Sequence, residues 1–306
     1  MNNKLVGFVK FLIGWPLAIA AIIFVLKLAS PKFSEVLSFP HTINYYLLLL
    51  SFLAFILYFI SRSYLWMKIL EFKGNKLPLK VTSYLWGFSE FKRYVPGNVW
   101  SFFSRVSLFS DVGVDKKVVG FALLDEIQLI VIPCAILSLF SFPLILSLNS
   151  DNLIRMEEIL LGSFVGIILY ILAVAYLLKK RMQKGNMLSN LYLPGYSLKE
   201  KIQLSLIAAI SFFMFGAATL ISSLAVFSFS PALFFPLACF YVMALLVGYL
   251  SFITPTGLGV REGVIIIGLS SLVSLANASF IAIFTRLALV ISELIFLIII
   301  FTVKKL

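Results

Sequence analysis

The fold is decided by residues 233–263, which read LFFPLACFYVMALLVGYLSFITPTGLGVREG. The run 233–253 carries no charge and has the length of a membrane-spanning helix, which needs about 20 apolar residues. Four helix-breaking residues then follow within nine positions: Pro255, Gly257, Gly259 and Gly263. Because proline lacks an N–H group and glycine lacks a Cβ atom, the pattern predicts a membrane helix that is interrupted before the next one begins.

The whole chain has the composition of a membrane protein. Of its 306 residues, 61% are hydrophobic and 12% are charged, whereas a soluble domain has roughly 45–50% and 25%. Such a chain could not cover the surface of a soluble globule, and it is too hydrophobic to be disordered. The net charge of +12 is typical of lysines and arginines gathered in cytoplasmic loops. We therefore expect no nucleic-acid partner.

The apolar runs predict an all-α, polytopic membrane helix bundle with about eight transmembrane helices. The predicted spans are 8–29, 43–60, 118–146, 159–178, 202–227, 233–253, 263–276 and 280–303. Positive charges gather in alternate connections, among them Arg62 and the lysines up to residue 80. This places both termini in the cytoplasm and the chain in the cytoplasmic membrane. We expect residues 1–306 to form a single transmembrane domain without a soluble domain.

A second segment is too polar to face lipid and too apolar to be a free loop. Residues 81–110 are rich in aromatic side chains but are interrupted by Pro96 and Gly97, with Arg105 further on. The break at 253–263 has the same order of proline, glycine and arginine. Irregular backbone at membrane depth needs surrounding protein or a water-filled cavity, so we expect one or two re-entrant or broken helices. Two such interruptions indicate a transporter binding site.

The arginines beside the two breaks are candidates for binding the phosphate of a lipid. Arg261 lies where a helix is predicted to start, and free N–H groups and the positive end of the helix dipole attract anions there. Arg105 follows the first break and could serve in the same way. The alternative is that both side chains extend to lipid headgroups at the membrane interface.

Ionisable residues in or beside predicted spans form a second group of candidates. Arg286 and Glu293 are seven residues apart and share one face of the last helix. Charges within a span usually face the bundle interior and pair with one another. We expect Arg286 to be a third phosphate-binding residue. We expect Glu126, Glu262 and Glu293 to hold the arginines or to relay protons, and a purely structural ion pair is the alternative.

Polar and aromatic side chains near the first break are assigned to the membrane interface. Lys92 and Arg93 are predicted to be cytoplasmic anchors that attract acidic headgroups. The predicted interfacial aromatic belt consists of Tyr84, Trp86, Tyr94 and Trp100.

No pattern in the sequence is typical of a catalytic or metal site. Cys134 and Cys239 lie within apolar runs, and His41 is the single histidine. Without a Cys/His cluster we expect no metal, no cofactor and no catalytic residue, and hence no enzyme. Asp111 and Asp115 favour the alternative of a membrane-embedded glycosyl- or phosphotransferase, which would hold a divalent cation between carboxylates.

Residues 255–263, PTGLGVREG, resemble the Pro-Gly-Gly-Leu-Gly-x-Arg-Glu signature of the lysylphosphatidylglycerol synthase transmembrane-region family. This family of flippase-like membrane proteins includes the lipid-flipping half of the multiple peptide resistance factor. Residues 94–97, followed by Arg105, are similar to the family's earlier Leu-Pro-Gly…Arg element. Arg286 in the last predicted helix also matches the family.

The chain departs from the family pattern at two places. Thr256 stands where the family has glycine, and residues 125–127 read DEI where the family often has Glu-Arg. The aminoacyl-transferase domain of the resistance factor is absent, so lysyl transfer to lipid is not expected. The resemblance implies a helix bundle around a lipid-accessible cavity and movement of an anionic or headgroup-modified lipid. Some relatives are associated with lipid-linked saccharides and polyprenyl phosphates.

Composition, breaks and resemblance together predict a lipid flippase or transporter. Its substrate would be a phosphate-bearing lipid, either a phospholipid, a glycolipid or a polyprenyl-linked saccharide, moved between the leaflets. The transferase described above and a non-transporting assembly subunit are the alternatives. Besides the membrane lipid, the partners left open are a second copy of the chain and proteins of lipid or glycan biosynthesis.

Overall fold

The computed structural model describes residues 43–94, 100–141, 193, 195–251 and 257–304. Throughout these ranges the regular structure is helical, which confirms the predicted all-α class. The α-helices are α1 (Tyr45–Phe72), α2 (Leu79–Phe91), α3 (Trp100–Ser110), α4 (Lys116–Leu139), α5 (Leu198–Leu224), α6 (Phe234–Leu250), α7 (Val260–Leu269) and α8 (Leu275–Lys304). Short 3₁₀ turns, Lys92–Tyr94 and Pro231–Leu233, follow α2 and precede α6.

Five helices in the described ranges are long and apolar enough to cross a membrane, namely α1, α4, α5, α6 with its preceding turn, and α8. Their length and composition indicate a membrane protein. The spans predicted at 8–29 and 159–178 lie outside the described residues. The span predicted at 263–276 corresponds to α7, whose 10 residues extend only about 15 Å. The predicted count of eight crossings is therefore not confirmed.

Helix α1 extends well beyond the span predicted at 43–60. The assignment of Arg62 to a cytoplasmic loop is wrong, because Arg62 lies within this helix and is only 4% exposed. The apolar period of the helix continues past it, with Leu65 and Ile69 fully buried. The charge at Arg62 interrupts the hydropathy of the span but not the helical spacing of its buried face.

Helices α1 and α8 both pack against α5, and α6 joins α5 with the two backbones in contact. A Cβ atom on Gly216 of α5 would overlap the carbonyl oxygen of Ala238 in α6, so this approach requires glycine. On the other side of α5, the rings of Phe55 and Tyr58 lie 6.0 Å and 5.2 Å from the ring of Phe215. These contacts hold Phe215 in the buried core, where it lines the candidate site.

The segment predicted to be re-entrant at 81–110 contains two short helices. Helices α2 and α3 have 13 and 11 residues, or about 20 Å and 17 Å, which is less than the roughly 30 Å of a bilayer core. Helix α2 packs on α1 and α8, whereas α3 packs on α4. The connection that contains Pro96 and Gly97 lies outside the described residues. The lengths of the flanking helices fit a broken segment inside the bundle.

At the second break, α7 runs back along α6. Gly248 lies against Arg261 near one end of the pair, and Phe240 lies against Gly268 near the other. This order makes the two helices antiparallel. A Cβ atom on Gly268 would overlap the Phe240 ring, so glycine is needed for the close contact.

The glycines of the second break occupy conformations that other residues rarely adopt. Gly257 has φ +67° and Gly259 has φ +83°, both in the left-handed region. Gly263 lies inside α7, and Pro255 lies outside the described residues. The turn before α7 therefore depends on glycine at two positions, and it brings Arg261 into the interior.

Candidate functional site

A cavity of about 280 Å³ lies among the helices, and all eight α-helices contribute to its lining. The charged residues that line it are Arg62, Glu90, Arg93, Arg105, Glu126, Arg261 and Arg286. Much of the remaining lining is apolar and comes from α4 and α6, for example Ile130, Val131, Leu245 and Leu250. The lining of the cavity thus combines five arginines and two glutamates with apolar side chains.

Glu126 on α4 holds two arginines and a tryptophan. Its Oε1 atom accepts hydrogen bonds from Arg62 Nη2 at 2.8 Å and from Trp86 Nε1 at 3.3 Å. Its Oε2 atom accepts from Arg105. The carboxylate is buried with these partners, and each of its oxygens is satisfied. Because the three donors come from α1, α2 and α3, Glu126 joins four helices at one point.

The pairing continues from Arg105 across the first break. Arg105 also donates to Glu90 and, through Nε, to Ser89 Oγ at 3.0 Å, and its guanidinium lies 4.8 Å from the centre of the Trp66 ring. The Arg105 guanidinium therefore has carboxylate, hydroxyl and aromatic partners already.

A second arginine connects Glu90 to the last helix. Arg93 Nη1 donates to Glu90 Oε1 at 2.8 Å, and Arg93 Nη2 donates to Glu293 Oε2 at 2.8 Å. The hydroxyl of Tyr94 donates to the same Glu293 oxygen at 2.6 Å. We call the six charged residues that these contacts join the paired network: Arg62, Glu126, Arg105, Glu90, Arg93 and Glu293. It ties the segment before the first break to α8.

Arg261, on the first turn of α7, differs from every member of the paired network. It is 1% exposed, and its Nε, Nη1 and Nη2 atoms all lack a hydrogen-bond partner among the described residues. Its guanidinium lies 4.8 Å from the centre of the Phe215 ring, which is a favourable cation–π contact. That contact replaces only part of the hydration that a buried guanidinium has lost. No described residue accepts a hydrogen bond from the Arg261 guanidinium.

Two further residues of the second half complete this region. Glu262 Oε2 accepts the Gly259 N–H at 2.8 Å, and Glu262 Oε1 lies 3.7 Å from Arg286 Nη1. We call Arg261, Glu262 and Arg286 the arginine site. A Cβ atom on Gly248 would lie 3.1 Å from Arg261 Cβ, so this glycine on α6 lets the first turn of α7 approach closely. The carboxylate of Glu262 thus fixes the turn from which Arg261 enters the cavity.

The charged groups of the cavity do not balance. Among the residues that the structure describes, the paired network and the arginine site together contain five arginines and four glutamates, an excess of one positive charge. An isolated charge in an apolar interior is costly unless it is paired. An anion with one negative charge would balance this set of groups.

A separate polar cluster lies at the C-terminal end of α1. Asp125 Oδ2 accepts from the Tyr196 hydroxyl at 2.9 Å and pairs with Lys73 Nζ at 2.7 Å. Burial and the neighbouring Asp125 carboxylate raise the pKa of Tyr196 above its usual value, so its hydroxyl stays protonated at neutral pH. This cluster attaches the segment before α5 to α1 and α4, and its residues do not line the cavity.

The structure brings together the six side chains that the sequence singles out. Arg105, Arg261, Arg286 and Glu126 line the cavity, whereas Glu262 and Glu293 contact its arginines from behind. Of the three glutamates, Glu126 pairs with Arg105 and Arg62, and Glu262 lies 3.7 Å from Arg286. Glu293 pairs with Arg93, which the sequence assigns to the headgroups. Within the described ranges, no group of three or more His, Cys, Asp or Glu side chains is arranged to hold a metal ion.

Three residues of the site lie elsewhere than sequence reasoning predicts. The sequence places Arg62 in a loop, Arg93 at the headgroups and Trp86 in an interfacial belt. In the structure Trp86 is 2% exposed and donates to Glu126, and Arg93 pairs with Glu90 and Glu293. Continued helical spacing through residues 61–72 is the signal that would place Arg62 inside a helix.

The chain was also compared with known proteins. No protein-family model matches it, and no curated protein matches it.

Proposed function

We propose that this protein moves a phosphate-bearing lipid between the two leaflets of the cytoplasmic membrane. The proposal includes membership of the lysylphosphatidylglycerol synthase transmembrane-region family, on the basis of residues 255–263 and of Arg105 and Arg286. In this proposal both termini lie in the cytoplasm, and no covalent chemistry is done on the lipid.

The observation that carries the proposal is the unpaired guanidinium of Arg261. It is buried, it lines the cavity, and its nitrogen atoms lack hydrogen-bond partners among the described residues. Buried polar groups in proteins nearly always have a partner, and a charged group without one is strongly destabilising. A phosphate oxygen would accept the N–H groups that Arg261 offers, and charge-assisted pairs of this kind are short and strong.

The mixed charged and apolar lining of the cavity favours an amphiphile over a soluble anion. Apolar side chains of α4 and α6 line the same cavity as the arginines. The volume of about 280 Å³ lies at the lower end of small-molecule sites, which span roughly 300–1,000 Å³. The polar head of a lipid and the first atoms of its chains fit such a volume. The rest of the chains would stay in the bilayer while the head passes through the bundle.

The roles of the other residues follow from their contacts. In the proposed mechanism Arg286 binds the phosphate together with Arg261, and Glu262 orients both arginines. Arg105 faces the same space but contacts Glu90 and Glu126, so it reaches the phosphate only by exchanging one of these carboxylates. Such an exchange would couple entry of the lipid to movement of the helices that carry Glu90, Glu126 and Glu293.

Headgroup translocation in proteoliposomes tests the proposal. The measurement follows the fraction of a fluorescent phospholipid that an impermeant reductant can reach with time. Wild-type protein is expected to equilibrate the two leaflets faster than empty vesicles, and Arg261→Met is expected to lose this activity. Lys199→Gln removes a positive charge from an exposed position and serves as the matched control with unchanged activity.

The same vesicles separate the alternatives. A transferase would change the lipid covalently and would stop when a chelator removes divalent cations, whereas an assembly subunit would leave translocation at the rate of empty vesicles. Equal rates for wild type and Arg261→Met would remove the assigned role of the arginine.

A further inference from the structure

We infer that the cavity selects a phosphodiester lipid whose headgroup carries one negative charge and no amine. This inference rests on the proposed function, and it narrows the substrate class by the charges of the site. It follows from three observations about the described residues: the net charge of the paired network and the arginine site, the contacts of the two carboxylates in the lining, and the unpaired arginine.

The first step is the number of charges. Among the described residues, the paired network and the arginine site together contain five arginines and four glutamates, and Arg261 is the arginine without an ion pair. A phosphodiester carries a single negative charge and would make the loaded cavity neutral. A phosphomonoester carries about −1.5 to −2 at neutral pH and would leave an uncompensated negative charge in an apolar interior.

The second step is the state of the acidic groups in the lining. The carboxylates that line the cavity are Glu90 and Glu126, and each already contacts two arginines. A headgroup ammonium needs a buried carboxylate of its own, and Glu90 and Glu126 could provide one only by releasing an arginine. Glu262 Oε1 has no hydrogen-bond partner among the described residues, but Glu262 does not line the cavity. A zwitterionic lipid would also leave the excess positive charge of the cavity in place. Its entry is therefore disfavoured on both counts.

The third step is the position of the donors. Arg261 presents Nε, Nη1 and Nη2 without partners among the described residues, and Arg286 lines the same cavity. Two guanidinium groups repel each other, and an anion held between them removes this repulsion. A diester phosphate has two unesterified oxygens, so one oxygen can serve each arginine while the two ester arms lead to the lipid chains and to the remainder of the headgroup.

Glu262 allows the charge of the site to be changed by one unit with little change of shape. Its Oε2 atom accepts the Gly259 N–H at 2.8 Å, and the side-chain oxygen of glutamine can accept the same bond. Glu262→Gln therefore keeps the turn that precedes α7 while raising the charge of the cavity from one to two positive units. The variant is expected to favour a doubly charged phosphomonoester over a diester.

The experiment is native mass spectrometry of the detergent-solubilised full chain with competing lipids of identical acyl chains. The probes are a phosphatidylglycerol as the diester anion, a phosphatidic acid as the monoester and a phosphatidylethanolamine as the zwitterion. A fourth probe, water-soluble dimethyl phosphate, presents the diester anion without lipid chains. Wild type is expected to retain phosphatidylglycerol at least about tenfold better than either other lipid, because each of these would lose the equivalent of one charge-assisted hydrogen bond.

Two variants of the arginine site test whether its charge sets the lipid selectivity. Arg261→Met is expected to lose the preference for phosphatidylglycerol, and Glu262→Gln is expected to shift it toward phosphatidic acid. Asp111→Asn removes a negative charge from an exposed position outside the cavity and should leave the selectivity of wild type unchanged. If Glu262→Gln is not recovered as folded protein, the selectivity of wild type decides the matter alone.

The outcomes separate this inference from the proposed function. Retention of phosphatidic acid or phosphatidylethanolamine as strongly as phosphatidylglycerol, and lost with Arg261→Met, would overturn the charge rule while keeping a lipid site. Binding that is independent of Arg261, or displacement by dimethyl phosphate at equal concentration, would overturn the lipid site and the proposed function with it.

Discussion

The paired network and the arginine site are built from the same kinds of residue but differ in how their charges are satisfied. In the paired network each carboxylate holds at least one guanidinium at hydrogen-bond distance, and Glu126 alone contacts Arg62 and Arg105. In the arginine site, Glu262 lies 3.7 Å from Arg286, and the guanidinium of Arg261 lies over the face of Phe215. Both regions line one cavity.

Under the proposed function, this difference separates charges that stabilise the fold from charges that bind a ligand. Breaking a buried ion pair leaves an unpaired charge and costs about 3–5 kcal/mol. Removing a buried charge that never had a partner relieves desolvation and costs little. Substitutions in the two regions are therefore expected to have opposite effects on stability and on lipid binding.

The largest effect is expected for Glu126→Ala in the paired network. This change leaves the guanidinium of Arg62 without its carboxylate and removes one of two carboxylates from Arg105, so stability should fall by about 3–5 kcal/mol. The measurement is thermal unfolding of the purified protein in detergent. A variant with the midpoint of wild type would contradict the assignment of Glu126 as the centre of the network. Asp111→Asn, at an exposed position, is the control.

A smaller loss is expected for Glu293→Leu at the far end of the network. The carboxylate accepts from Arg93 at 2.8 Å and from Tyr94 at 2.6 Å, but Arg93 keeps its pair with Glu90. Stability should fall by about 1–3 kcal/mol, the cost of leaving buried donors unsatisfied. The same unfolding assay measures it. A loss as large as that of Glu126→Ala would mean that Glu293, rather than Glu126, organises the bundle.

Arg261→Met is expected to leave the stability of delipidated protein unchanged or to raise it. The substitution keeps an unbranched side chain against Phe215 and removes a buried charge whose nitrogens have no described hydrogen-bond partner. Unfolding after exhaustive detergent exchange measures this directly. A drop comparable to that of Glu126→Ala would show that Arg261 stabilises the fold through contacts of its own and would end the distinction between the two regions.

The smallest effect is expected for Gly248→Ala, which moves the arginine without removing its charge. The added Cβ atom would lie 3.1 Å from Arg261 Cβ, so the first turn of α7 must shift by a few tenths of an ångström. Phosphatidylglycerol retention should fall by less than it does for Arg261→Met, with little change in stability. Gly120→Ala is the matched control, because a Cβ atom added to this helical glycine would have no neighbour within 4 Å. Equal retention for the two variants would argue against a tight placement of Arg261.

The sequence predicts which residues form the site better than it predicts which of them pair with one another. Helix-breaking residues around Arg261 and the spacing of Arg286 and Glu293 are local signals, and they identify residues that the structure places at or next to one cavity. The ion-pair partner of each charged residue, in contrast, lies far away in the sequence. Arg62 and Glu126 are 64 positions apart, and Arg93 and Glu293 are 200 apart. These pairs are set by how the helices pack.

Hydropathy also predicts the wrong location for a charged residue that the fold buries. Arg62 looks like the first charge of a loop, because a span is normally expected to end at an arginine. Its position in the structure is acceptable only because Glu126 arrives from another helix at 2.8 Å. A buried pair of this kind has no signature in the sequence around Arg62 alone, so Arg62 is interpreted as a surface charge.

The central claim is that Arg261 binds a ligand whereas the paired network maintains the fold. The most direct test is the shift in unfolding temperature that phosphatidylglycerol produces in wild type, Glu293→Leu and Arg261→Met, since a ligand that binds the native state stabilises it. The account predicts a shift in wild type and in Glu293→Leu, despite the lower starting stability of the latter, and none in Arg261→Met. A shift of the same size in Arg261→Met would contradict it.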